Sequence, residues 1–313
     1  MGTNSIYLLY GVPGVVVYVL TVASICTTRA RLNATFVTIF LLTAVTNLIT
    51  YLNTWMALRL QTETWFFGYY EFINRMVIIS YVHQFFVGLL YYSQNVNAFL
   101  ITLDRYFAIA GFLWKDIWNR HYKTFALAMH VVCIPIYYCT GGFLYQNREN
   151  SFVYNPVTNT YSLQIKGTSS TATSLSTQVA FGSVLLLFCL ILNIISFHRL
   201  RLTQISGKNV KIVERSMFAI SICIFFTQAL NILILIAIFY VRLISPNTEA
   251  YMFLVTIMPF LSDTFSLGPG VYTIIVPGPI RRQCISILLP CRKTQAKDSS
   301  TIQVISVHTA HTL

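Results

Sequence analysis

Seven runs of roughly 20 or more mostly apolar residues follow one another along this chain, near residues 6–26, 34–58, 77–102, 124–145, 177–197, 216–241 and 250–277. A helix of that length spans the hydrocarbon core of a bilayer, and seven of them leave little chain for anything else. Only 10% of the 313 residues are charged and 56% are hydrophobic, against about 25% charged in a soluble domain. The solvent for most of this chain is therefore lipid. The fold class is an all-α membrane protein, a seven-transmembrane-helix bundle. Met1–Ser5 offers neither a basic n-region nor a small-residue cleavage site, so the first run reads as an uncleaved signal anchor.

The chain carries 21 Lys and Arg against nine acids, a formal net charge of +12. In a soluble protein such an excess points to nucleic acid; its distribution here points to a membrane surface. Five of the 21 basic residues fall in the second, fourth and sixth connections: Arg59, Arg75, Arg148, Lys166 and Arg242. The other 16 of the 21 fall in the first, third and fifth connections and the C-terminal tail, and none precedes the first run. By the positive-inside rule the N-terminus lies outside and the C-terminus in the cytoplasm. Membrane lipid is an implied partner, and nucleic acid is not.

The third run closes in Leu103-Asp104-Arg105-Tyr106. Charges avoid hydrocarbon, so Asp104-Arg105-Tyr106 marks a membrane boundary. Two readings of Arg105 stand: a snorkelling anchor, or a cation that Asp104 holds in a resting bundle. Polar residues inside apolar helices tend to face the bundle interior, because lipid cannot satisfy them. They include Asn47 in the second run, Gln94, Asn95 and Asn97 in the third, Gln228 and Asn231 in the sixth, and Asp263 in the seventh.

Asp263 is the only acid well inside a run, and no Lys or Arg lies in a run at comparable depth. An ionised carboxylate at mid-membrane costs about 2.5–3.5 kcal/mol even on the lenient insertion scale. The expectation is a protonated or water-solvated Asp263 that joins helices two, three and seven through Asn47 and nearby hydroxyls. It would do so just above a hinge at Pro269. A functional site and a plain interior hydrogen bond both satisfy this pattern.

Enzyme signatures are missing: there is no Gly-rich phosphate loop, no Gly-x-Ser-x-Gly and no His-Glu-x-x-His. His83, His130 and His198 belong to different helices and suggest no metal site. The seven Cys avoid the outside connections, so no extracellular disulfide framework is implied. Neither catalysis nor a cofactor follows from these residues.

The connections carry some structure of their own. Glu63–Tyr70 is short and aromatic, an interfacial belt or a ligand-gripping loop. Around 146–176, Phe152-Val153-Tyr154, Asn155-Pro156 and Thr160–Ile165 predict a β-hairpin lid, followed by a flexible Ser/Thr-rich lead-in over Gly167–Ser176. Beyond the seventh run Pro277-Gly278-Pro279 breaks the helix. A short amphipathic eighth helix comes next, with Ile280, Cys284, Ile287 and Leu288 on one face. Cys284 and Cys291 are juxtamembrane lipidation candidates or ordinary thiols. The chain divides into 1–277, the seven-helix domain, and 278–313, the amphipathic helix with a disordered tail.

The Leu103-Asp104-Arg105-Tyr106 string, with Phe107-Ala108-Ile109 after it, resembles the end of helix three in rhodopsin-like G-protein-coupled receptors. Gly268-Pro269-Gly270-Val271-Tyr272 resembles that family's Asn-Pro-x-x-Tyr, with Gly in place of Asn. The departures are specific. Asn47 stands where the family keeps a sodium-binding Asp, helix six has no proline, and no Cys lies near Ser80 to tie down the second outside loop. A nearer resemblance is to the nematode serpentine chemoreceptors of the gamma-type superfamily, in its gamma or V classes. Three stretches carry it: Leu52–Arg59; Glu214-Arg215-Ser216-Met217 with Gln228; and Pro259-Phe260-Leu261-Ser262-Asp263 with Leu267 and Pro269.

That resemblance implies a chemosensory receptor of the plasma membrane. A small-molecule ligand would bind between the outer helix halves, with Val87, Tyr91, Tyr92, Gln94, Gln228 and Asn231 as pocket candidates. A heterotrimeric G protein would engage the cytoplasmic face, with Asp104, Arg105, Tyr106, Pro269 and Tyr272 as the coupling and switching residues. Val87 occupies the helix-three position where amine receptors keep an acid, so a neutral or weakly polar ligand is expected. The competing class is a transporter or channel subunit, but no second half of the chain resembles the first.

Overall fold

The computed structural model describes residues 3–110, 114–140, 150–156, 159–165, 168–205, 212–244, 247–276 and 279–288. In chain order these form α1 (Thr3–Thr28), α2 (Ala34–Thr54), α3 (Phe67–Arg75), α4 (Val77–Ile109) and α5 (Lys115–Thr140). A hairpin of β1 (Asn150–Asn155) and β2 (Thr160–Ile165) comes next. Then follow α6 (Thr168–Ile205), α7 (Ile212–Leu243), α8 (Thr248–Ile275) and α9 (Pro279–Leu288). Among the described residues, five helical stretches, Ile6–Thr28, Ala34–Thr62, Thr173–Thr203, Glu214–Arg242 and Thr248–Ile275, are long and apolar enough to cross a membrane. The third sequence run lies on α4, and the described part of the fourth, up to Thr140, lies on α5.

The bundle is inside-out relative to a soluble protein. Leu187, Phe188, Ile194 and Phe197 of α6 and Phe226 and Leu233 of α7 point outward, while Asn47, Gln94, Asn95, Gln228 and Asp263 are buried. That is the arrangement lipid demands, because hydrocarbon satisfies apolar surface and leaves amides unpaired. Helix α4 is the hub and packs against α2, α5, α6 and α7; α8 closes against α1, α2 and α7.

Local chemistry fixes the helix ends. The Asn33 side chain accepts from Thr35 N at 3.2 Å and starts α2, and Asn247 accepts from Ala250 N at 3.0 Å and starts α8. Pro279 opens α9, where its missing N–H removes no helical bond. Gly270 permits the contact between α1 and α8. A Cβ there would lie 2.1 Å from Tyr18 Cδ2 and 2.8 Å from the Tyr18 Cα. Into that gap Thr21 Oγ1 donates to the Gly270 carbonyl at 3.0 Å.

The hairpin is where the sequence places it, antiparallel with Asn150 opposite Ile165 and Asn155 opposite Thr160. Asn159 takes the left-handed backbone (φ 50°) that its turn requires. One expectation needs correction. The lead-in is helix from Thr168 onward, not a flexible strand of chain. Its Ser and Thr hydroxyls bond back onto the helix, as Ser176 and Thr177 do to the Thr173 carbonyl.

Helix α4 does not stop where its apolar run stops. It continues through Asp104-Arg105-Tyr106 to Ile109, because those charges find partners in the bundle. The aromatic connection, expected as a belt or a gripping loop, also supports the hairpin, and Glu63 at its start lines the cavity described below. Tyr70 is fully buried, stacks on Tyr161 at 5.4 Å and packs on Phe152 at 4.7 Å.

The α3–hairpin joint is also hydrogen-bonded. Asn74 Nδ2 donates to the Phe152 carbonyl at 2.6 Å, and the Phe152 amide donates back to Asn74 Oδ1 at 2.9 Å. Burial pushes the Tyr70 phenol above its ordinary pKa. It thus stays a neutral donor to the Met56 carbonyl at 2.8 Å.

Candidate functional site: a cavity and an ion cluster at opposite ends of the bundle

The end of α2 decides the chemistry of the cavity. Past Thr54 the backbone widens into a π-helical turn, Trp55–Arg59, before tightening again. A π turn holds an extra residue, so the side chains beyond it are rotated relative to their places on an α-helix. Here it brings Arg59 inward, to 5% exposure. The guanidinium lies 4.7 Å from the Tyr7 ring centroid, 5.1 Å from Trp55 and 5.7 Å from Tyr51. Arg59 Nη2 pairs with Asp263 Oδ1 at 2.5 Å, and Tyr10 donates to Asp263 Oδ2 at 2.6 Å.

This overturns the expected neutral network around Asp263. Its partners are a cation on the continuation of α2 and a phenol on α1. Asn47 instead receives Gln94 Nε2 at 3.0 Å and donates to Tyr18 at 3.1 Å. Arg59 escaped the sequence reading because a basic residue just past an apolar run looks like a loop residue. Tyr10 left no signal, since tyrosine is common near membrane interfaces.

Beside this pair lies a cavity of about 760 Å³, within the range of small-molecule sites. Its wall includes Tyr7, Arg59, Glu63, Val87, Tyr91, Gln94, Gln178, Asn231, Met258 and Ser262. Four of the six sequence candidates, Val87, Tyr91, Gln94 and Asn231, line it; Tyr92 and Gln228 do not. The Tyr92 ring turns toward Tyr137 and Phe181, and Gln228 donates to Asn95 at 3.1 Å within the core. Gln94 ties the cavity to the bundle centre, since it also donates to Ser266 at 2.9 Å.

At the far end of α4, Asp104 and Arg105 are paired and both 1% exposed. Arg105 Nη1 reaches Glu214 on α7 at 3.2 Å, and its guanidinium lies over Phe36 at 4.9 Å. Asp104 Oδ1 also accepts from Thr35 at 2.6 Å and from the Trp118 indole at 3.0 Å. Four helices therefore converge on one acid–base pair. Sequence reasoning marked Asp104 and Arg105 but gave no role to Thr35, Trp118 or Glu214.

Tyr106 lies beside them, half-buried and edge-on to Phe107. Pro269 is buried next to Gly270, and Tyr272 is half-buried in the same turns of α8. Cys284 packs against α1 and donates to Ser24 Oγ at 2.9 Å, so an acyl donor meets it only if α9 lifts away. The expected single apolar face of α9 divides: Ile280 and Cys284 are buried, while Ile287 and Leu288 remain exposed. Cys291 lies outside the described residues. Among the described residues no cluster of His, Cys, Asp or Glu is arranged to hold a metal.

A polar seam within an apolar bundle, with a molecule-sized cavity at one end and a buried ion cluster at the other, defines a multi-pass helical membrane protein. The family model for the Srg family chemoreceptors matches residues 4–284, nearly the whole chain. The chain therefore belongs to this family of nematode serpentine receptors, and it is a chemosensory receptor. No curated protein matches the sequence.

Proposed function

We propose that this chain is a seven-span G-protein-coupled chemoreceptor of the plasma membrane, with its hairpin end outside and its Asp104–Arg105 end in the cytoplasm. A small molecule binds in the cavity beside Tyr91 and Asn231. Its binding shifts a two-state bundle, and a heterotrimeric G protein engages the opposite face.

One observation carries this reading: Arg105, a full cation, is buried and held by acids on two different helices. A boundary anchor would reach for headgroups. A cation clasped between α4 and α7 instead ties two helices that must part before it meets another protein. The Lys and Arg excess in the connections assigned to this end supports the orientation.

The test is Arg105→Ala in cells carrying a second-messenger reporter, with surface level measured in parallel. The expected outcome is loss of stimulated signal per surface receptor, with a lower surface level as well because buried Asp104 loses its cation. Unchanged signalling overturns the coupling role. A C-terminal tag stained on intact cells overturns the orientation.

A further inference from the structure

We infer that the cavity takes ligands bearing a carboxylic acid or an equivalent acidic head, and that this head replaces Asp263 as the partner of Arg59. The inference rests on reading the cavity as the receptor's ligand site. It departs from the neutral ligand that the sequence favours.

The Arg59 side chain is 4% exposed yet forms part of the cavity wall. The surrounding rings of Tyr7, Tyr51 and Trp55 favour a cation at that spot whichever anion completes the pair. Guanidinium carries five N–H donors in a planar fork that matches a carboxylate. An amide, alcohol or ester cannot take Arg59 from Asp263 without exchanging an ionic hydrogen bond for a weaker one and stranding a buried carboxylate.

An acid can make the exchange charge for charge. It enters with its proton; its O–H bond breaks, its anion pairs with Arg59, and the proton passes to Asp263. Asp263 keeps the Tyr10 hydroxyl as donor. The net charge of the site is unchanged. The titratable groups around Asp263 are Arg59 on the continuation of α2, Tyr51 on α2, and Tyr7 and Tyr10 on α1. Glu63, also on the wall, is an acid and supplies no competing cation.

The remainder of the cavity suits an apolar body, with Val87, Leu235, Val255 and Met258 on its wall. The exchange also has a mechanical effect. The Arg59–Asp263 bond joins the continuation of α2 to α8, so a ligand that takes Arg59 unfastens α8 from α2 at the cavity.

The experiment uses the full-length receptor in lipid nanodiscs, with nonanoic, phenylacetic and cinnamic acids, each beside its primary amide. Binding is followed by ligand-detected NMR and by thermal shift. At least one acid should bind about tenfold or more tighter than its amide, which corresponds to exchange of one charge-assisted contact. Asp263→Asn should bind that acid several-fold tighter than wild type and gain more thermal stability from it, because Arg59 then has no resident carboxylate.

The neutral double variant Arg59→Gln/Asp263→Asn should lose the preference for acid over amide. It also keeps the comparison valid if a single variant fails to fold. Equal binding of acids and amides by wild type, no binding by any acid, or an acid preference that survives in the double variant overturns the inference. Amides that bind as well as acids would overturn it while leaving the cavity a ligand site.

Discussion

Arg105 on α4 and Glu214 on α7 meet at 3.2 Å across 109 residues of sequence, and the glutamate is the more exposed partner at 30%. The pair is therefore asymmetric. Asp104, fully buried, is the guanidinium's partner on α4, while the part-exposed Glu214 is its partner on α7.

Glu214→Gln should raise basal second-messenger output severalfold without loss of surface receptor. Partial exposure keeps the ion-pair contribution near the surface range of about 0–1 kcal/mol, enough to shift a two-state population but not to unfold it. Asp104→Asn should lower surface expression instead, because it leaves Arg105 buried with only the part-exposed Glu214 as its anion. Basal activity and surface staining of the two variants side by side check this. Equal behaviour would remove the asymmetry.

Breaking one side of the Arg59–Asp263 pair should be costly. Removing one partner of a buried pair costs about 3–5 kcal/mol, since the other charge stays buried. Asp263→Leu and Arg59→Leu should each lower the melting temperature strongly and reduce surface levels. The Arg59→Gln/Asp263→Asn double variant should recover much of the loss. A double-mutant cycle on thermal stability reads the coupling, and additive losses would show that the two side chains act independently.

Gly270→Ala should destabilise the receptor by about 1–3 kcal/mol, the usual effect of forcing extra atoms into a packed core. Truncating Tyr18 should rescue it only in part, because the added methyl would also meet the Tyr18 backbone at 2.8 Å. Melting temperatures of the single and double variants check this; full rescue would place the clash in the Tyr18 ring alone.

Asn74→Ala should loosen the hairpin and leave the bundle intact. It removes two hydrogen bonds to Phe152, each worth about 0.5–1.5 kcal/mol net. Amide hydrogen exchange should rise about tenfold or more at Phe152, with α4 and α7 unchanged. Unchanged exchange would assign the anchoring to the Tyr70, Phe152 and Tyr161 rings.

How much of this was legible depended on whether a feature is local. Among the described residues, apolar length marked the five helical stretches able to cross a membrane. The alternation around Phe152 and Tyr161, with Asn155-Pro156 between, marked the hairpin. Asp104 and Arg105 stood out as charges at the end of an apolar run. Other features stayed hidden because they needed three dimensions or a backbone irregularity. Arg59 and Asp263 are 204 residues apart, and nothing in the residues around Trp55 announces a π turn. The start of α6 was missed for a different reason: serine and threonine lower helix propensity, yet their hydroxyls turn back to carbonyls of the same helix.

The π turn at Trp55–Arg59 makes the position of a charge depend on a residue count. Each residue advances an α-helix by about 100°, so deleting one residue between Tyr51 and Arg59 would let the helix revert to regular winding. The guanidinium would keep its place in the core, because the π turn holds one residue more than regular winding needs. Losing a residue while the π turn is kept would instead swing it toward lipid, although every functional side chain would still be encoded. Receptors of this design can thus diverge by insertion and deletion as sharply as by substitution. A shorter second helix with its arginine one place earlier could present the same cation as this one.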